Sequence, residues 1–259
     1  MLQVVKGRFN HIFVVQQGAQ RALRFGYRDA DDQSVYVPSQ PHREPLEYIR
    51  ASLLGLLWAP AAPRVLVVGL GGGSFLRHAR RLRPRARLAA VEIDPQVVRV
   101  ARRWFGLGRL RGLTVHLGDG RRFLRRTRAR YDLLLVDAYD DVDYPAHLGT
   151  LQFFRLVRQR LTARGVAVAN LSPNSQADRN RLVRTFRAAF RRVRCFYTPA
   201  QGNTVVVGGP GVARVTHPQL RRRLARLSRR APGMGLPRLW RAPCRFNTSR
   251  ARILRDPPR

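Results

Sequence analysis

The chain has 259 residues, enough for one large domain or a domain with small appendages, and 44% are hydrophobic, ample for a core. No apolar run approaches the ~18 residues of a membrane span. The N-terminus lacks a signal peptide's long apolar stretch, and two distant cysteines argue against a disulfide framework or a zinc site. A soluble, cytoplasmic, metal-free protein with inert thiols is expected.

The formal charge is +35, from 50 basic and 15 acidic residues, yet Lys6 is the only lysine and arginine is spread along the whole chain. That spread reads as coding bias toward GC-rich codons. A nucleic-acid surface would be a local patch interleaved with aromatics. Nonspecific binding to nucleic acid at low salt is still expected, because the phosphate contribution needs only positive charge.

In chain order, residues 1–47 read as a small β appendage. "HIFVVQQ" and "QRALRFGYRD" are strands across a glycine-containing turn, and "SQPHREP" is a proline-marked linker. "LEYIRASLLGLLW" places Leu46, Ile49, Leu53 and Leu57 at helical spacing. Then "RVLVVGLGGGS" is an apolar run ending in glycines, the mark of a strand buried on both faces. "SFLRHARRLRP" is helical, "ARLAAVEID" a second strand, "PQVVRVARRWFGL" a helix with Pro95 in its first turn. "LTVHLGDG" is a third strand, "RRFLRRTRAR" a helix and "YDLLLVDAYDD" a fourth strand. "TLQFFRLVRQRLTARG" reads as a helix capped by Gly165, and "VAVANLS" as a fifth strand. "DRNRLVRTFRAAFRRV" is a helix, and "RCFYTPA" with "NTVVVGG" an antiparallel pair. This alternation predicts an α/β protein with a doubly wound, mostly parallel sheet spanning 48–211. Residues 212–259 read as a basic Pro/Arg-rich tail in which "HPQLRRRLARLSRR" forms an exposed helix.

Four strand ends carry the candidate chemistry. Gly69, Gly71 and Gly73 follow the first sheet strand, where a ligand can approach the backbone closely; a dinucleotide fingerprint would need glycine at 74, which is Ser74. Glu92 ends the second strand, placed to accept from a ribose diol. Asp119 ends the third, placed to accept from an adenine amino group. Asp137, Asp140, Asp141 and Asp143 cluster after the fourth, whereas residues 144–259 contain only Asp178 and Asp256. A negative pocket on a positive protein suits a cationic ligand, an amine or a sulfonium. Tyr139 and Tyr144 flank the cluster, and His147 follows the loop at a place from which it could reach the pocket, though it reads rather as a surface or packing residue.

In order, "VLVVGLGGGS", "VEID", "LGDGRRFL" and "YDLLLVDAYD" resemble the spermidine synthase family of aminopropyltransferases. Their sheet is that of the S-adenosylmethionine-dependent methyltransferases. "LRFGYRDADDQSV", "PAHLGTLQFF" and "RILRDPP" resemble further segments of such proteins. The resemblance implies aminopropyl transfer from decarboxylated S-adenosylmethionine to a small-molecule amine, in a homodimer. It implies Asp137 as general base, Glu92 at ribose, Asp119 and Gln33 at the nucleoside, and Asp140 at the substrate amine; from their place in the loop, Tyr139 is expected to line the substrate channel and Asp141 to add charge at the amine.

The chain departs from the family pattern at three places. Gly72 replaces an acid of the glycine turn, Tyr48-Ile49-Arg50 replaces a motif that grips the polyamine, and Asp141 replaces a proline. Two alternatives therefore stand beside the leading reading. One is a methyltransferase using intact S-adenosylmethionine, its carboxylate paired with Arg50. The other is a non-catalytic nucleoside- or polyamine-binding protein of the same fold.

Overall fold

The computed structural model describes residues 1–9, 11–139, 144–241, 244, 246, 248, 249 and 251–257. Period-two alternation near the N-terminus builds a four-stranded antiparallel sheet: β1 (Gln3–Lys6), β2 (His11–Gln17), β3 (Gln20–Phe25) and β4 (Ser34–Tyr36). The β2–β3 turn has Gly18 at φ 55°, the left-handed conformation that a two-residue hairpin demands.

The second sheet holds seven strands: β5 (Arg64–Val68), β6 (Arg87–Glu92), β7 (Leu113–Leu117), β8 (Tyr131–Val136), β9 (Leu161–Leu171), β10 (Val193–Thr198) and β11 (Asn203–Gly208). Their spatial order is β10-β11-β9-β8-β5-β6-β7. Strands β5 to β9 are parallel, and β10 and β11 run antiparallel. Successive residues of β5 face opposite cores. Val65 and Val67 pack with α1 (Glu47–Leu53), α2 (Ser74–Leu82) and α3 (Pro95–Trp104). Leu66 and Val68 pack with α4 (Gly120–Arg126), α5 (Leu151–Gln159) and α6 (Gln176–Ala189). A strand covered on both sides must be apolar throughout, which is why "RVLVV" shows no alternation. The winding direction reverses at β5, which pairs with β6 on one edge and β8 on the other. The crevice at the carboxyl ends of β5 and β8 is the topological switch point, where open α/β sheets bind ligands.

Three expectations need correcting. The helix expected to run to Gly165 stops at Gln159, and residues from Leu161 onward join β9. The register jumps between the Tyr131–Leu161 and Leu133–Val166 pairs, and at this irregularity a Cβ on Gly165 would meet Tyr131 O at 2.6 Å. The glycine therefore serves a close backbone approach rather than a helix cap.

The segment "HPQLRRRLARLSRR" is a helix, α7 (His217–Arg230), but an amphipathic one. Its Leu220, Leu224 and Leu227 are buried in the first core, as are Leu236 and Leu239 of α8 (Leu236–Arg241).

The cysteines are not free. Cys195 on β10 and Cys244 form a disulfide, with Cα atoms 5.4 Å apart. The backbone supports this approach, since Cys244 N–H donates to Cys195 O at 3.1 Å. A sequence separation of 49 residues concealed the proximity because the chain returns to β10 after α8. No helix among the described residues is long and apolar enough to cross a membrane.

Candidate active site

The ladder hydrogen bonds continue to the strand tips. Gly69 N–H donates to Val91 O and Asp137 N–H to Val68 O, each at 2.9 Å. The turn after β5 thereby meets the turn after β8. At Gly69 (φ 89°) a Cβ would collide with the Asp137 carbonyl oxygen, so only glycine fits. Gly71 and Gly73 also have positive φ, at 51° and 74°.

One cavity opens over these tips. Gly69, Gly71, Gly73, Glu92, Asp119, Asp137, Tyr139 and Gln33 all line it, with Tyr48, Ser34 and His147. Among the described residues, no arginine or lysine lines it. In a chain of charge +35, three carboxylates, Glu92, Asp119 and Asp137, thus line one cavity. Asp140, Asp141 and Asp143 lie outside the described residues.

The acids are held by specific donors. Both Glu92 oxygens accept from backbone: Leu70 N–H at 2.8 Å and Asp94 N–H at 3.0 Å. Burial pushes the Glu92 carboxyl above the usual range, and these backbone donors oppose that rise. Glu92 thus braces the glycine turn as well as facing the cavity. Asp119 caps α4 by accepting from Arg122 N–H at 2.7 Å, and its other oxygen meets His147 Nε2 at 2.9 Å.

Asp137 receives a hydrogen bond from Asn170 Nδ2 at 3.0 Å. Its carboxyl is pushed up to about 6, first by burial and less the hydrogen bond that favours the charged form. Tyr48 Oη donates to Gln33 O at 2.6 Å, tying α1 to the first sheet across the cavity. Burial, then the charge of Asp137, holds the Tyr48 phenol well above its ordinary value, so it stays a donor. Tyr139 Oη donates to Asn170 O and accepts from Ser172 N–H, both at 2.7 Å, and its ring meets Tyr144 edge-on at 5.5 Å.

Several site residues were not legible as such in the sequence. Asn170 ends the apolar run "VAVAN", and a polar residue closing a buried strand was the available signal. His147 was read as a surface or packing residue; its ring is half exposed, yet it lines the cavity and contacts Asp119. Ser34 carried no sequence signal. It accepts from Gly72 N–H at 2.8 Å, and with Phe105 it fills the space where a Cβ on residue 72 would sit. Arg50 does not line the cavity. Its Nη2 lies 3.5 Å from Glu47 and its Nη1 3.5 Å from Met234 O. Among the described residues, no group of three His, Cys, Asp or Glu side chains could hold a metal ion.

A mostly parallel seven-stranded sheet closed by an antiparallel pair, with a glycine turn and carboxylates at its switch point, is of the S-adenosylmethionine-dependent methyltransferase type of fold. Human methyltransferase-like protein 13, solved with SAH, shares this fold. It matches over 78% of this chain and 96% of its own, with a TM-score of 0.63 at 24% identity. The chain belongs to the spermine/spermidine synthase domain family, whose model matches residues 52–200. A probable spermidine synthase from Corynebacterium glutamicum has the same fold over 100% of this chain and 98% of its own, with a TM-score of 0.79 at 18% identity. The polyamine aminopropyltransferase of Vibrio vulnificus is 33% identical over 199 residues, 75% of this chain. That match spans 63% of the Vibrio protein, less than two thirds of the relative's length.

Proposed function

We propose that the protein transfers an aminopropyl group from decarboxylated S-adenosylmethionine to an amine, with Asp137 as general base. One observation carries this reading: three carboxylates face a single switch-point cavity that no described arginine or lysine enters. Such a cavity favours a sulfonium and an ammonium. It offers no described cation to pair with the carboxylate of an intact donor, and Arg50, the residue considered for that role, bonds elsewhere.

In the proposed step the acceptor nitrogen attacks the sulfonium-bound methylene of the aminopropyl group. A C–N bond forms, the C–S bond breaks, and its electron pair returns to sulfur, giving neutral methylthioadenosine. The acceptor is an ammonium in water, with a pKa near ~10, and must shed a proton to react. Asp137 takes it. Burial raises the acid's proton affinity, and the same desolvation lowers the ammonium's. Glu92 holds the ribose diol, Asp119 the adenine edge, and the glycine turn lets the nucleoside lie against backbone. Gln33 joins them on the nucleoside side, and Tyr139 flanks the amine side.

A competition assay tests the donor. With a panel of diamines and polyamines as acceptors, turnover is expected with the decarboxylated donor, and methylthioadenosine is expected to bind by calorimetry. Turnover with intact S-adenosylmethionine alone would replace this reading with methyl transfer. Absence of heat with every nucleoside would remove both.

A further inference from the structure

From Thr248 to Asp256 the described residues of the C-terminal segment form a strap against α6, α5 and the wall of the cavity. Thr248 accepts from Arg184 Nη1 at 3.2 Å and Arg187 Nη1 at 3.4 Å, both on α6. Leu254 N–H donates to Thr185 Oγ1 at 2.9 Å, and Leu254 O accepts from Leu151 N–H, the first amide of α5, at 2.8 Å. Ile253 and Leu254 pack against the second core. The strap then reaches Arg121, in the first turn of α4. Asp256 grips that guanidinium with both oxygens, at 2.8 Å on Nη1 and by a second contact on Nη2.

Arg121 is otherwise placed to brace the loop that walls the cavity. Its Nη1 also donates to His147 O at 2.9 Å and lies 3.5 Å from Thr150 Oγ1. Its Nε is buried without a partner among the described residues. The two Nη groups alone therefore set its orientation, and Asp256 engages both. A monodentate partner would leave the guanidinium free to rotate away from His147 O.

We propose that Asp256 is a positioning residue for the nucleoside cavity. Through Arg121 it fixes the backbone of His147, and with it the His147–Asp119 contact and the Pro145–Leu148 wall. The inference rests on the nucleoside reading of this cavity, but the latch itself has a readout that does not.

The test compares wild type with Asp256→Asn and Asp256→Glu. The first should weaken methylthioadenosine binding roughly tenfold, the scale of a lost charge-assisted contact. It should raise the donor KM while leaving kcat nearly unchanged. Asp256→Glu, which keeps the charge, should recover most of that loss. Hydrogen exchange should accelerate at the amides of Leu148, Gly149 and Leu151 in Asp256→Asn, with or without nucleoside. If wild type binds no nucleoside, faster exchange there still supports the latch, and the functional reading alone fails. Unchanged exchange in Asp256→Asn overturns the proposal, as does a kcat loss with unchanged KM. Should Asp256→Asn not fold, Arg121→Lys reads the same link. Lysine's one nitrogen cannot reproduce the planar fork by which two nitrogens meet both Asp256 oxygens while one of them holds His147 O, so the same exchange change is expected; its absence overturns the proposal.

Discussion

Asn170 donates to Asp137 Oδ1 at 3.0 Å, while Asn203 donates to Asn170 Oδ1 at the same distance. The second bond fixes which end of the Asn170 amide faces the acid, so the chain delivers a donor to the charged form of Asp137. Removing that donor in Asn170→Ala leaves burial unopposed. The acid limb of the kcat/KM profile, expected near pH 6 in wild type, should move to higher pH. An unshifted limb would mean that another group governs it.

Asp137 also sets a pH dependence of stability. Its folded value of about 6 lies above the ordinary 3.8, so the fold prefers the protonated form. The contribution to stability is full below the unfolded value and is lost as pH rises through about 6. Asp137→Asn should therefore be more stable than wild type at pH 7.5, by about 3 kcal/mol. The gap should close as pH falls below about 3, where the carboxyl is protonated both folded and unfolded. Turnover should fall roughly a hundredfold or more. Equal melting temperatures at pH 7.5 would show that the Asp137 charge is solvated.

Restoring an acid at residue 72 should not restore a family-like grip. A Cβ there would sit 2.8 Å from Ser34 Cβ and 2.9 Å from Phe105 Cδ1. Gly72→Asp should cost about 1–3 kcal/mol by overpacking, measured by denaturant melts. Pairing it with Ser34→Gly should return part of that loss. A fully stable single variant would show that the glycine turn yields freely.

The disulfide closes a loop of 49 residues through α7 and α8. The chain-entropy argument assigns such a loop about 4 kcal/mol. Cys244→Ser, or full reduction, should lower the melting temperature, and thiol titration of the native protein should find neither cysteine reactive. Two reactive thiols in the unreduced protein would exclude the bond.

The sheet was legible because each of its central strands is an uninterrupted apolar run followed by a helix-period segment. The glycines, Glu92, Asp119 and Asp137 were legible because they interrupt those runs at the same end. Asn170 and Ser34 were not, since an amide and a hydroxyl act here through hydrogen bonds to groups 33 and 38 positions away. Nor was the Cys195–Cys244 pairing, which depends on where the chain goes after α8. The α5 boundary failed for a different reason: a glycine after a basic turn has the appearance of a helix stop, while its neighbours had already entered β9.

The stretch matched by the family model, 52–200, is smaller than the apparatus around the cavity. Gln33 and Ser34 form part of the cavity's lining from before it, and Asp256 braces a wall from after it. A fragment trimmed to the shared stretch would lose β11, which joins β10 to β9, and would hold an open trough in place of the cavity. Boundaries drawn by kinship and boundaries drawn by a working vessel are different lines in this chain.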